Sequence, residues 1–169
     1  MKTLPIVDQL PDEHLVLIGE LITAWAMQEH ELRLTVYMLL GLDPKRGRVA
    51  VRSNRSKETV EMISDLMSLS GIASNTTNLR ELGKRLDEIE NRRNTLAHNI
   101  WVKDKQGVLF VQSLTGSWPE KTAHRKLKRR IQPAGIPVPL ESLRDLVSAL
   151  RQMIYQTRIL RGEIEAALK

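Results

Sequence analysis

Between Asp12 and Leu40 the residues Leu15, Ile18, Ile22, Trp25, Leu32, Val36 and Leu39 recur at intervals of three and four, interrupted once. That period puts them on one stripe of a long helix, whereas a strand would alternate them between faces. The same period returns in three further segments. Val60, Ile63, Leu66, Met67 and Leu69 form a stripe within Ser56 to Leu69, and Leu79, Leu82, Leu86, Ile89, Leu96 and Ile100 form another. Leu143, Leu146, Val147, Leu150, Ile154, Leu160 and Ile164 make the last. A helix with one apolar stripe must cover it with another element, so four such helices predict an all-α four-helix bundle. The stop signals agree: Gly41 and Pro44 end the first helix and Gly71 the second. Asn78 with Glu81 has the form of a capping box opening the third, and Pro139 suits the first turn of the last.

One stretch departs from this period. Lys103-Asp104-Lys105-Gln106-Gly107 reads as a turn between Trp101-Val102 and the β-rich run Val108 to Val111, which predicts a small β-hairpin between helices three and four. From Ser113 to Pro139 the prolines and glycines leave little room for continuous helix, so 101–138 is expected to be a hairpin and basic-loop insertion. With no repeat and no linker, residues 1–169 are expected to form a single domain.

Composition removes several function classes. The chain has no Cys, which excludes disulfides, a thiolate zinc site and a cysteine nucleophile. No apolar run approaches the ~18 residues of a spanning helix, so no membrane partner and a cytoplasmic location are expected. His14, His30 and His124 lack metal-ligand spacing and no phosphate-binding glycine loop occurs, so neither metal nor cofactor is expected. One Phe, two Tyr and three Trp are too few for a binder that works by stacking bases. The net charge of +6 is unevenly spread. Lys45, Arg46, Arg48, Arg52, Arg55 and Lys57 stand close together, as do Lys121, Arg125, Lys126, Lys128, Arg129 and Arg130. These clusters are either ordinary solvated loops or an electrostatic track for a nucleic-acid backbone.

Two charged residues interrupt the apolar stripes: Glu29 on the first helix and Arg93 on the third. A buried charge is costly unless paired, so the two helices are expected to pack with Glu29 against Arg93. The pair reads either as a structural salt bridge or as a notch in which a carboxylate readies a guanidinium for an anion. His98 lies five positions beyond Arg93, about 7.5 Å along the axis and about 140° round it. Asn94 is four positions before His98 and so neighbours it. Arg93, Asn94 and His98 can line one edge of a groove, although a His near a helix end also serves purely structural roles.

The run Arg93 to His98, R-N-x-x-x-H within NRRNTLAHNIW, resembles the signature of the HEPN superfamily. The first-helix pattern ITAWAMQEHELRL, the motif's place at the end of the third helix, and the chain length are similar too. The resemblance covers roughly residues 12–100 and 140–168 and leaves the insertion unexplained. It implies a helical homodimer in which two motifs meet in one cleft, and in many members a metal-independent endoribonuclease of toxin or phage-defence type. An antitoxin or nucleotidyltransferase partner is also implied. On that resemblance His98 is the catalytic acid/base, Arg93 the phosphate ligand, Asn94 a polar helper and Glu29 the support of Arg93. The charge clusters supply the expected RNA-binding positions, Arg125, Lys126, Lys128, Arg129 and Arg130 of the insertion first, then Arg46, Arg48 and Arg52.

The chemistry is coherent on its own terms. RNA carries its own nucleophile, the 2′-hydroxyl, so the protein needs a proton carrier near neutral pH and a fixed cation for the phosphorane charge. Imidazole and guanidinium suit those tasks. One His cannot act on both sides of the phosphate at once, whereas two copies across a dimer can. The competing expectation is a non-catalytic HEPN-like module that binds nucleic acid or a protein partner, with Arg93 and His98 at a dimer interface. A small scaffold with no ligand is the third.

Overall fold

The computed structural model describes residues 4–51, 55–74, 76–112 and 135–169. It is mostly helical, with five helices and one small sheet among these residues. Helix α1 spans Asp12–Leu39, α2 Pro44–Ala50, α3 Ser56–Leu69, α4 Leu79–His98 and α5 Leu140–Ala167. The strands are β1 (Ile100–Lys103), β2 (Leu109–Gln112) and β3 (Ile136–Pro137).

Local chemistry accounts for the ends of these elements. Gly41 takes φ 63° after α1, a left-handed turn that costs little without a Cβ. Pro44 then does more than stop α1. Its fixed φ suits a helix start, and the Asp43 carboxylate accepts hydrogen bonds from the backbone N–H groups of Lys45 and Arg46, giving the short α2 that periodicity alone does not reveal. At α4 the Asn78 side chain accepts from the Glu81 N–H at 3.1 Å, one half of the expected capping box, while the Glu81 carboxylate turns to Arg85 and not back to the Asn78 backbone. Along the same turn Arg85 hydrogen-bonds Glu81 and holds its carboxyl below the usual carboxylate range.

Helix α1 is central: it packs along α5 on one side and α3 on another, while α4 lies mainly on α3. The core joins Leu21, Trp25, Leu32 and Val36 of α1 to Val60, Ile63 and Met67 of α3 and Leu82, Leu86 and Ile89 of α4. The whole expected stripe of α5, from Leu143 to Ile164, is buried.

Two expected stripes depart in part, that of α1 at Leu15 and Ile22 and that of α3 at Leu69 alone. Leu15 and Ile22 of α1 are exposed, and Gln28, Glu31 and Thr35 are buried in their place. The reason is that α5 supplies polar partners on that side. Gln28 donates to Thr157 Oγ1 at 2.9 Å and Glu31 receives two arginines. On α3, Leu69 is exposed at the C-terminal end where no neighbour reaches it.

The expected hairpin forms, with β1 and β2 antiparallel and Trp101 opposite Val111. Ile100, expected in the third helix, is the first residue of β1, because α4 ends at His98. Two additions leave no periodic trace in the sequence. β3 returns to pair with β2, and the N-terminal segment bridges to β1 through Ile6 and Val102. Most of the insertion, residues 113–134, lies outside the described residues.

Helix α2 sits so close to α1 that a Cβ on Gly47 would run into the Tyr37 ring. Gly47→Ala is therefore expected to lower stability by about 1–3 kcal/mol, the usual cost of overpacking, read as a lower urea midpoint at unchanged slope.

Candidate functional site

Of the side chains that the sequence singled out, Glu29 and Arg93 both reach the indole of Trp25, where α4 lies against α1. Trp25 is the hinge of the arrangement. Its indole is almost fully buried, its Nε1–H donates to Glu29 at 3.0 Å, and the Arg93 guanidinium stacks over its ring, 5.3 Å from the centroid. A cation over an indole face is attracted by the ring quadrupole, worth about 0.5–2 kcal/mol depending on solvation.

The expected ion pair between Glu29 and Arg93 is not formed. Glu29 is half-buried and pairs with Arg33 one turn further along α1 at 3.5 Å. The Trp25 indole engages both groups, the carboxylate at its Nε1–H and the guanidinium over its face, and (i, i+4) spacing offers Glu29 a cation on its own helix. Arg93 forms no ion pair with any described residue, and its buried Nε has no hydrogen-bond partner. With Nε closed to solvent, an anion would have to be met by the terminal Nη groups of Arg93.

His98 is exposed and is the last residue of α4, with Asn94 half-buried one turn before it. This final turn is pinned from outside the helix. Asn99 Nδ2 donates to the Thr95 carbonyl at 2.8 Å and Trp101 Nε1 to the Leu96 carbonyl at 3.2 Å. Both carbonyls are among the four that a helix C-terminus leaves unpaired. His14 of α1 packs edge-on against Trp101, ring centroids 6.3 Å apart. Arg93, Asn94 and His98 thus occupy a turn and a half of one well-anchored helix end.

The basic positions are not gathered here. Arg46 and Arg48 are exposed on α2, which abuts Tyr37, twelve residues or about 18 Å along α1 from Trp25. Arg46 is also engaged with Asp43 at 3.4 Å. Arg52, Arg125, Lys126, Lys128, Arg129 and Arg130 lie outside the described residues.

The buried acid of α1 is Glu31, a residue the stripe pattern passes over. It is 5% exposed and receives Arg158 at 2.7 Å and Arg161, both from α5. The spacing of three between these arginines, on one face of α5, is the signal from which the cluster can be read. Glu31→Ala leaves two facing guanidiniums uncompensated. A loss of about 2–3 kcal/mol is expected on chemical denaturation, below the ~3–5 of a fully buried pair because both arginines keep contact with water.

Among the described residues no group of three or more His, Asp or Glu side chains converges as a metal ion would require. Nor is any described helix long and apolar enough to cross a membrane. Comparison of the chain with protein-family models, with curated proteins and with solved structures gives no match.

Proposed function

We propose that this chain is a metal-independent endoribonuclease of HEPN type, with a four-helix scaffold and a homodimeric site, acting in the manner of a toxin or phage-defence component. The observation that carries the reading is the state of Arg93. Its guanidinium is stacked on Trp25 without a carboxylate partner among the described residues, one and a half turns from an exposed His98. A purely structural arginine on an apolar stripe would be expected to be neutralised by its neighbour.

In this reading Arg93 binds the scissile phosphate and stabilises the charge that develops on it. His98 removes the proton from the 2′-hydroxyl. Asn94 orients the imidazole or the phosphate. Glu29 acts on Arg93 only through Trp25, by fixing the indole. A second copy supplies the second His98, which protonates the departing 5′-oxygen. The bond formed is 2′-O to phosphorus and the bond broken is phosphorus to 5′-O, so the products are a 2′,3′-cyclic phosphate and a 5′-hydroxyl.

The test is incubation of mixed RNA with the full chain in chelated buffer, followed by analysis of the product ends. Cyclic phosphate and 5′-hydroxyl ends, lost in His98→Ala, are the expected result. A requirement for divalent metal, or cleavage that persists in His98→Ala, would overturn the reading.

A further inference from the structure

A cavity that the site above does not use opens where α4 meets β2, β3 and the start of α5. Its volume is about 180 Å³. Four buried aliphatic residues, Leu96, Val111, Val138 and Leu143, form its walls, and Asn91, Arg92 and Thr95 of α4 stand at its rim. Pockets that enclose a whole small ligand commonly measure about 300–1,000 Å³, so this one has room for a single ring system whose remainder stays outside. One base of a polynucleotide has that form.

Spacing on α4 ties the cavity to His98. Asn91, Thr95 and His98 are separated by four and three, so they fall on one stripe, with Thr95 about 4.5 Å along the axis from His98. The rim offers hydrogen-bonding groups of both kinds. Asn91 Nδ2 makes only a long bond to Asp87, 3.4 Å, and Asn91 Oδ1 accepts from no described residue. The Thr95 hydroxyl donates to the Asn91 carbonyl at 2.9 Å, which leaves its oxygen lone pairs as acceptors. A free amide, with acceptor beside donor, complements the N6 amine and N7 of adenine. Arg92 is exposed and pairs with no described carboxylate, so a cation stands at the mouth, where a backbone phosphate would pass. An apolar carboxylate would use the walls and the cation but not the amide.

We propose that this cavity receives one adenine base of single-stranded RNA, that of the nucleotide whose 2′-hydroxyl faces His98. The proposal rests on the ribonuclease reading for the placing of that hydroxyl, and deepens it by naming the base that is selected. The walls are aliphatic, so the base is held by apolar contact on its faces and by hydrogen bonds along its edge, with no aromatic stack. Arg92 holds the neighbouring phosphate whatever the sequence. Cleavage then falls after adenosine, and the 2′,3′-cyclic phosphate ends carry that base.

Short 2′-deoxy oligothymidylates carrying adenine, cytosine, guanine or thymine at one central position test this apart from cleavage, because they lack the attacking hydroxyl. Binding to the full chain is read by fluorescence anisotropy, with circular dichroism to check folding of each variant. The adenine oligomer is expected to bind about tenfold tighter than the other three. Asn91→Ala is expected to abolish that preference. Thr95→Leu keeps a helix-forming residue but closes the mouth, and is expected to weaken the adenine oligomer about tenfold. Arg92→Gln is expected to weaken all four alike and to lower the salt slope by about 0.7. Equal binding of the four oligomers, a preference that survives both Asn91→Ala and Thr95→Leu, or displacement by octanoate and not by adenosine 5′-monophosphate would overturn the proposal. Adenine-selective binding without cleavage of the matching ribo-oligomer would leave the cavity assignment standing and remove the ribonuclease reading. Cleavage lost in His98→Ala but indifferent to the base would do the reverse.

Discussion

His98→Ala is expected to lower RNA cleavage in chelated buffer by about 10²–10⁴-fold, the usual contribution of a positioned acid or base. Because the imidazole is exposed and lies at a helix end, its removal should change stability by no more than about 0.5 kcal/mol, or about 2 °C in melting temperature. The combination matters: large loss of turnover with an unchanged melting curve is the mark of a chemical role. Mixing His98→Ala in excess with wild type gives a sharper reading. If one cleft draws a His98 from each chain, mixed dimers lack one of the two, and the activity of the wild type falls below what dilution alone would give. Arg93→Lys should not rescue Arg93→Ala, because an ammonium has neither the planar fork nor the flat face that stacks on Trp25.

Trp25→Ala is expected to have the largest effect on the fold. Truncating a buried indole costs about 3–5 kcal/mol, against a total of about 5–15 for a domain of ordinary stability. The cost here includes the donor that Glu29 loses and the surface on which Arg93 rests. Trp25→Phe separates the parts. It keeps an aromatic face under Arg93 but has no N–H for Glu29, so it should retain most of the cleavage activity at a smaller stability cost. Trp25→Leu fills the site yet offers no π face, and should lose activity at comparable stability. Equal activity in Phe and Leu variants would show that the stacking does not position Arg93. Urea unfolding and initial cleavage rates, measured on the same preparations, check both halves.

Much of this was legible from spacing, and the exceptions have physical causes. The stripe of α5 reads correctly because its polar and apolar residues separate cleanly around the helix. On α1 apolar residues surround most of the circumference, so spacing cannot tell the face that meets α3 and α5 from the outer one, and Leu15 and Ile22 are misplaced. Glu29 was legible as an acid near the core, but its partner was not. That choice depends on an indole standing between two helices, and on Arg33 being only one turn away. Glu31 escaped notice because its burial is decided by arginines some 130 residues downstream. The hairpin was visible in its turn residues. Its N-terminal neighbour was not, since a single bridge at Ile6 leaves no periodic trace.

That bridge has a consequence for how the helix end bearing His98 is assembled. Ile6 pairs with Val102, the Val7 N–H donates to the Trp101 carbonyl, and the Lys103 N–H to that of Pro5. The partners are separated by about 95 residues, which at ~5–20 residues per second is roughly 5–20 s of synthesis. Residues 5–7 therefore emerge early and wait for their place, while Trp101 is held to α4 by a contact only five residues long. Helix α4 can close its last turn locally and at once; the strand that buttresses the following segment arrives only by closure of a loop of about 95 residues.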